Sequence, residues 1–206
     1  MALLRAHNIA VSLDGYMAGP DQSLEQPLGV GGTQLHTWVF GEDRTPLDQR
    51  YYDVAFEGVG ANVMGRNMFG PVRGDWADSD WTGWWGDDPP YHSPVFVLTN
   101  HARDPISMAG GTTFHFVTDG IESALEQAFA AADGKDVRLN GGASTIRQYL
   151  AADLVDVLNL SIAPILLGGG ERVFDEPGYP TGWECTEMVS TEAGLGVTHV
   201  QLVRQR

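Results

Sequence analysis

The sequence predicts an α/β fold with a mixed, mostly parallel central sheet, flanking helices and antiparallel strands at its C-terminal end. Three observations predict it. Apolar, strand-like runs alternate with segments of helical period over most of the chain, which implies parallel strands joined by crossover helices. The last stretch holds strand-like runs with no helix between them, which implies antiparallel strands added at one side. Hydrophobic residues make up 43% of the 206 and charged ones 19%, enough apolar surface for a real core.

The elements follow in order. Leu3 to Leu13 is rich in aliphatics and stops at Asp14-Gly15, as a largely buried strand would. Residues 19–44 hold Pro20, Pro27, Gly29, Gly31 and Gly32 and read as a long loop. Thr45 can cap a helix that Pro46 opens and that runs to about Glu57, with Leu47, Tyr51, Val54 and Ala55 on its apolar face. Ala61 to Met64 is a short strand. A second long loop, about 70–93, carries Trp76, Trp81, Trp84 and Trp85 among aspartates. Strands follow at Pro94–Thr99 and Thr113–Val117, then a helix at Ile121–Ala132 that ends before Gly134. Asp136–Leu139 is a strand and Ser144–Ala152 a helix. Leu154–Leu167 reads as one long strand with Pro164 near its end, bent or at an edge there. Trp183–Ser190 and Val197–Val203 suit an antiparallel pair. Neither a repeat nor a linker divides residues 1–206, so they read as one domain.

Composition excludes several classes of function. The formal charge is −15, from 12 basic and 27 acidic residues, which opposes binding to nucleic acid and to anionic membranes. A small anionic ligand is still admissible, because backbone amides and one or two arginines can hold it locally. One cysteine, Cys185, permits no intrachain disulfide and no cysteine-based zinc site, and the six histidines lack metal-ligand spacing, so no metal is expected. The N-terminal apolar run is too short for a signal peptide, and none approaches the roughly 20 residues of a membrane span. The expected location is the cytoplasm.

Three glycine or polar joints carry the functional signal. In VRLNGGASTIRQYL, Val137 to Leu150, an aliphatic run carrying one arginine meets Gly141-Gly142 where a helix begins. The glycines can serve a plain bend. They can also expose the amides of Gly141, Gly142, Ala143 and Ser144 at a helix N-terminus, where free donors and the helix dipole favour pyrophosphate; Ser144 and Thr145 add hydroxyls. The pattern is not the GxGxxG fingerprint. At Gly65-Arg66-Asn67 a strand again reaches glycine, and Arg66 is either solvated or a grip for phosphate. Thr99-Asn100-His101 places hydrogen-bonding groups at the carboxyl end of a strand, where ligands of open α/β sheets sit. One dinucleotide lying across adjacent strand ends would explain all three.

Five segments in this order, Ala10–Tyr16 (AVSLDGY), Val63–Arg66 (VMGR), Val97–Asn100 (VLTN), Leu139–Gly142 (LNGG) and Ala163–Gly170 (APILLGGG), resemble the dihydrofolate-reductase-like superfamily. The nearest branch is similar to the reductase half of the bifunctional riboflavin-pathway deaminase–reductase and its stand-alone relatives. The resemblance runs from Leu4 to about Val203. It implies NADPH as cofactor and hydride transfer to a small pterin- or pyrimidine-like heterocycle, or to a sugar-derived carbonyl or imine. By the same resemblance Gly65, Arg66 and Asn67 would start a helix that holds cofactor phosphate. Thr99, Asn100 and His101 would surround the adenosine 2′-phosphate. Gly141, Gly142, Ala143, Ser144 and Thr145 would hold the pyrophosphate, with Asn140 beside them. Ala10 and Ser12 would lie near the nicotinamide, and Asp14-Gly15 would begin a mobile loop over it. Two positions depart: Met68 stands where dihydrofolate reductases usually have threonine, and Asn140 where riboflavin-type reductases often have a substrate-contacting glutamate.

The resemblance also implies a helix carboxylate that helps deliver a proton. The matching helix offers Asp48, Asp53 and Glu57; Asp48 and Asp53 are the candidates, although Asp48 also suits a favourable charge at a helix start. The tryptophans of the second loop, like His36 and Trp38 in the first, either pack or stack on a flat substrate. His115 reads as a core or surface histidine, and Gly168–Gly170 as a strand-ending turn. The expected function is therefore an NADPH-dependent reductase. The alternative is a non-catalytic module that binds a nucleotide or self-associates on the same fold. A homodimer is an expected assembly, through late strands and loop tryptophans.

Overall fold

The computed structural model describes residues 1–70, 74–76, 80–175, 178–192, 194 and 196–206. Chain order gives β1 (Leu4–Ser12), β2 (Tyr16–Ala18), α1 (Thr37–Phe40), α2 (Pro46–Val54), β3 (Val59–Gly65) and α3 (Arg66–Phe69). Next come β4 (Pro94–Leu98), β5 (Ile106–Ser107), β6 (Thr113–Val117), α4 (Gly120–Ala131), β7 (Asp136–Leu139) and α5 (Ala143–Ala151). The chain ends with β8 (Val157–Ala163), β9 (Glu171–Arg172), β10 (Trp183–Ser190) and β11 (Thr198–Arg204).

Nine strands form the main sheet in the order β10-β11-β8-β1-β7-β3-β4-β6-β5. The run from β8 to β6 is parallel throughout. Antiparallel strands close both edges: β11 and β10 beyond β8, and β5 beyond β6. The expected fold class holds, and the second antiparallel edge is an addition, since Ile106–Ser107 is too short to show a period. A separate pair, β2 with β9, lies antiparallel.

Several bounds differ from expectation for local reasons. The strand expected over 154–167 is confined to β8. Before it, the amides of Leu154 and Asp156 bond to Tyr149 and Leu4, turning the chain out of α5. After it, Pro164 has no N–H to continue the ladder. Helix α2 ends at Val54, short of Glu57, and starts on a capping box in which Thr45 and Asp48 exchange side-chain and backbone bonds. The first long loop contains a 3-10 turn at Gly32–His36 and α1. Of the second, positions 71–73 and 77–79 lie outside the described residues.

Alternation along the strands sorts the sheet into two faces. On one, Leu4, Ala6, Val63, Phe96, Val137 and Leu139 pack against Ala124 and Ala128 of α4 and Ile146 and Tyr149 of α5. The fully buried Tyr149 spends its hydroxyl on the carbonyl of Ile121 at 2.7 Å, tying α5 to α4. The opposite face carries two apolar clusters. One gathers Met64, Val95, Val97 and Phe114 with Phe69, Trp76 and Tyr91. The other joins Ala10 and Ala163 to Leu35, Trp38, Tyr51 and Val197. Between them the strands present polar side chains, Asn62, Arg138 and Asn140, all buried. That polar strip, roofed by neither cluster, positions the site.

Candidate active-site cleft

A cleft of about 990 Å³ opens over this strip and over the carboxyl tips of the parallel strands. Because β7, β3, β4 and β6 are adjacent and parallel, the chain leaves all of them at one edge. Asn140, Gly65, Thr99 and Thr118 therefore line one cleft.

At the tip of β7, the Gly142 residue is the N-cap of α5 and offers no side-chain cap; a Cβ built there would meet nothing within 4 Å. The first intrahelical bond is Ile146 N to Gly142 O at 3.0 Å, so the amides of Ala143, Ser144 and Thr145 precede the ladder. No acidic side chain occupies the first turn. Gly141 has φ of +131°, and its carbonyl accepts from Gly65 N at 2.7 Å, which locks this joint to the next. Glycine at 65 fits closely against Thr145: a Cβ there would stand 2.1 Å from Thr145 Oγ1. The side chains of Met17 and Met68 approach Gly141 from outside.

The second and third joints form one unit. Arg66 Nη1 donates to Thr99 Oγ1 at 3.3 Å, and Thr99 Oγ1 accepts from His101 N at 3.1 Å. Trp76 donates Nε1 to the carbonyl of His101 at 2.7 Å, and its ring lies beneath the Arg66 guanidinium. Helix α3 is a single turn of four residues.

Of the expected cofactor residues, Ala10, Gly65, Arg66, Asn67, Thr99, Asn100 and His101 line this cleft, as do Asn140, Gly141, Gly142, Ala143, Ser144 and Thr145. Ser12, Asp14 and Gly15 do not. Asp14 instead accepts from Ser12 Oγ at 2.6 Å and from the amides of Leu167 and Gly168, which fastens the end of β1 to the glycine turn after β8. The Ser12 bond leads, with the two amides, in holding this carboxyl down to about 2.

Both candidate carboxylates lie elsewhere, which corrects the expectation of a proton donor on α2. Asp48 is 3% exposed, and its oxygens are taken by Thr45 and by His199. Asp53 points to solvent and accepts from Gln49 at 2.7 Å. Among the described residues that line the cleft, the one carboxylate is Glu171, in β9. Against it stand Arg66, Arg138, His36 and His101. Of these, burial lowers the His36 imidazole to about 4 and His101 is paired with Asp75 at 2.6 Å, so the two arginines carry the positive charge of the cleft. Among the described residues, no group of His, Cys, Asp and Glu could hold a metal, and no helix is long and apolar enough to cross a membrane.

The tryptophans pack, Trp85 and Trp38 against the apolar clusters and Trp84 against Trp81, and some of them also line the cleft. Trp76 and Trp81 pack, with Trp81 donating Nε1 to Phe69 O at 2.8 Å. Trp84, Trp85, His36 and Trp38 line the cleft. His115 stacks on Phe96 at 5.1 Å, away from it. Sequence reasoning missed Arg138, Asn8, Tyr52, Phe56 and Tyr91, which also line the cleft. Arg138 left a signal, a charge inside an aliphatic strand; the others come from segments whose approach depends on the fold.

A mostly parallel sheet, a glycine pair heading a helix and a cleft across the strand tips define a protein of the dihydrofolate-reductase-like fold. The chain belongs to the RibD C-terminal domain family, whose pattern matches residues 6–197. Among solved structures it is similar to a protein from Shewanella sp. PV-4 named for riboflavin biosynthesis, at 27% identity and TM-score 0.65 over 100% of both chains. It shares its fold with dihydrofolate reductase from Enterococcus faecalis, complexed with NADP(H) and RAB-propyl, at 16% identity and TM-score 0.56 over 99% of this chain and 97% of that one. A pyrimidine reductase-like protein from Corynebacterium diphtheriae gives 16% and 0.59 over 100% and 92%. No curated protein matches the sequence.

Proposed function

We propose that the protein is an NADPH-dependent reductase acting on a small heterocycle. The observation that carries this reading is that the uncapped start of α5 opens into the same cleft as Arg66 and Thr99. Free amides at a helix start suit a diphosphate, and a guanidinium paired with a hydroxyl suits a further phosphate. The open space at Gly142 leaves room for such groups to approach the backbone. The residues present therefore fit a phosphorylated dinucleotide, and NADP(H) accompanies the Enterococcus relative.

When bound, the dinucleotide would supply the hydride. The chain's own residues do the rest. Amides of Ala143 to Thr145 hold phosphate, and Arg66 and Thr99 give preference for a doubly phosphorylated ribose. Buried Ala10 forms a small, apolar floor beside the reacting ring, and the cleft's aromatic walls keep water out. With no interior carboxylate among the described lining residues, the proton reaches the product from solvent.

Titration with NADPH and NADH, followed by quenching of Trp84 and Trp85, tests the reading. Saturable NADPH binding with preference over NADH is expected; no binding at millimolar NADPH would remove it. Met68 and Asn140, where the family pattern usually has threonine and glutamate, favour a second reading, a nucleotide-binding module without turnover. Bound NADPH with no oxidation across pterin, pyrimidine and quinone acceptors would select that one.

A further inference from the structure

We propose that Arg138 is a receptor for a carboxylate carried directly on the substrate ring, so that the inner end of the cleft selects small heteroaromatic acids. The inference deepens the reductase reading and rests on it for the word substrate. The subsite itself stands on geometry.

Arg138 is 7% exposed and lines the cleft. Its Nε and Nη1 are shut off from solvent, and among the described residues they have no hydrogen-bond partner and no ion pair reaches the guanidinium. Its neighbours are aromatic: the Phe56 ring lies 4.3 Å from Cζ, and Tyr52 and Tyr91 line the same wall. Burial pushes the guanidinium down to about 10, with the Tyr91 and Tyr52 phenols acting the other way and Arg5 adding to the fall. It therefore stays charged at neutral pH.

A buried charge without a counter-ion is among the least favourable features a fold can keep. Strand β7 could carry an aliphatic residue here, as it does at Val137 and Leu139. A ligand anion supplies what the chain does not. The phosphates of a dinucleotide are the wrong anions, because their cradle is at the strand tips. Arg138 lies two residues back from the Asn140–Gly141 tip, roughly 7 Å along the strand. It sits in register with Arg5 of β1 and Asn62 of β3. A flat guanidinium against a flat ring matches a flat carboxylate, which it can hold through two parallel bonds.

Two further atoms complete the recognition pattern. Asn140 and Asn8 line the same cleft, and the Oδ1 of each is buried without a partner among the described residues. The orientation of the Asn140 amide follows from its Nδ2, which faces three acceptors: Asn62 Oδ1 and the carbonyls of Val63 and Arg138. Its Oδ1 is thus left to accept. The ligand that fits has ring N–H donors for the two asparagines and a carboxylate for Arg138.

The test compares each ring acid with its neutral parent on the intact protein: uracil-6-carboxylate against uracil, and pyridine-2-carboxylate against pyridine, with phenyl phosphate as the alternative anion. Tryptophan fluorescence and thermal shift are read without cofactor. At least one acid should bind about tenfold or more tighter than its parent, and tighter than phenyl phosphate. The preference should vanish in Arg138→Met and fall severalfold in Arg138→Lys, which keeps the charge and loses the fork. Ligand-free Arg138→Met should melt at or above the parent temperature, because it removes an uncompensated buried charge. Neither acid exceeding its parent, phenyl phosphate binding best, or acid preference surviving in Arg138→Lys at full strength overturns the proposal. NADPH is titrated in parallel. Acid binding without NADPH binding would sink the reductase reading and leave the subsite; the reverse would sink the subsite alone.

Discussion

The guanidinium of Arg66 lies 3.0 Å from the ring centroid of Trp76, and the same group reaches Thr99 across to the neighbouring strand tip. A side chain from β3's end is thereby held flat before any ligand arrives, and its fork keeps one orientation. Because Trp76 also bonds the His101 carbonyl, the 99–101 turn is fixed by the same ring. Two joints that read separately in the sequence are one connected unit.

Arg66→Ala should weaken NADPH binding by about 1.5–3 kcal/mol, the worth of a hydrogen bond to a charged group. Arg66→Lys should lie between, since it keeps charge without the planar fork. Calorimetric titration measures both. An unchanged dissociation constant would show that the guanidinium serves contacts within the protein, those to Trp76 and Thr99 among them.

Gly65→Ala tests the contact between the first two joints. The new Cβ would stand 2.1 Å from Thr145 Oγ1 and 3.4 Å from Thr145 Cβ. The substitution should destabilise the fold by about 1–3 kcal/mol, the usual cost of overpacking, and should disturb the start of α5 enough to weaken NADPH. Thr145→Ala removes the clashing oxygen but leaves an ordinary contact. The double variant should therefore regain most of the lost stability in chemical denaturation, with a coupling of about 1 kcal/mol or more. Additive losses would place the clash elsewhere.

What the sequence made legible is what short range controls. Alternation gave the strands of the parallel run, and Thr45-Pro46 gave the start of α2, where the capping box forms. The glycine joints were readable because glycine at a strand–helix boundary has few uses. Asp48 was misread because its partner, His199, is 151 residues away, and only the pairing of β11 with β8 brings the two together. The partners of Asp14 were illegible in the same way, since the amides that it accepts from follow β8. Arg138 was visible as an odd charge in an aliphatic run, yet its lack of a partner is a property of the assembled cleft.

Histidine burial sets an acid limit. His7 is 3% exposed, and desolvation, helped by Arg5 and Arg138, lowers it to about 3. His199 is lowered too, chiefly by burial. A histidine with a folded pKa below its unfolded value of about 6.5 binds more protons unfolded, so its contribution is complete above that pH and declines below it. Unfolding free energy should fall as pH drops from about 6.5 toward 5, where carboxylates have barely begun to titrate. Each such histidine contributes up to about 1.4 kcal/mol per pH unit to the slope. His7→Gln should remove one histidine's share, measured by urea denaturation at pH 7, 6 and 5. An equal slope in both proteins would show that His7 titrates alike in the folded and unfolded states.

His199 joins Asp48 to Ser161, with Nε2 3.2 Å from Asp48 Oδ1 and Nδ1 3.0 Å from Ser161 Oγ. The residue types are those of a nucleophilic triad, but Ser161 and His199 have no exposed surface, so no substrate carbonyl can reach the hydroxyl. Tyr51 stacks on the imidazole at 4.0 Å and Trp38 meets it edge-on at 5.0 Å, closing the pocket from both sides. The row fastens α2 to β11 and β8. Asp48→Ala removes the N3 half of the capping box of α2 and leaves the buried imidazole without its acceptor, a loss of about 3 kcal/mol. The melting temperature should fall, while NADPH affinity and any turnover measured below the transition should match the parent protein. A fall in kcat with the melting temperature held would return Asp48 to the chemistry.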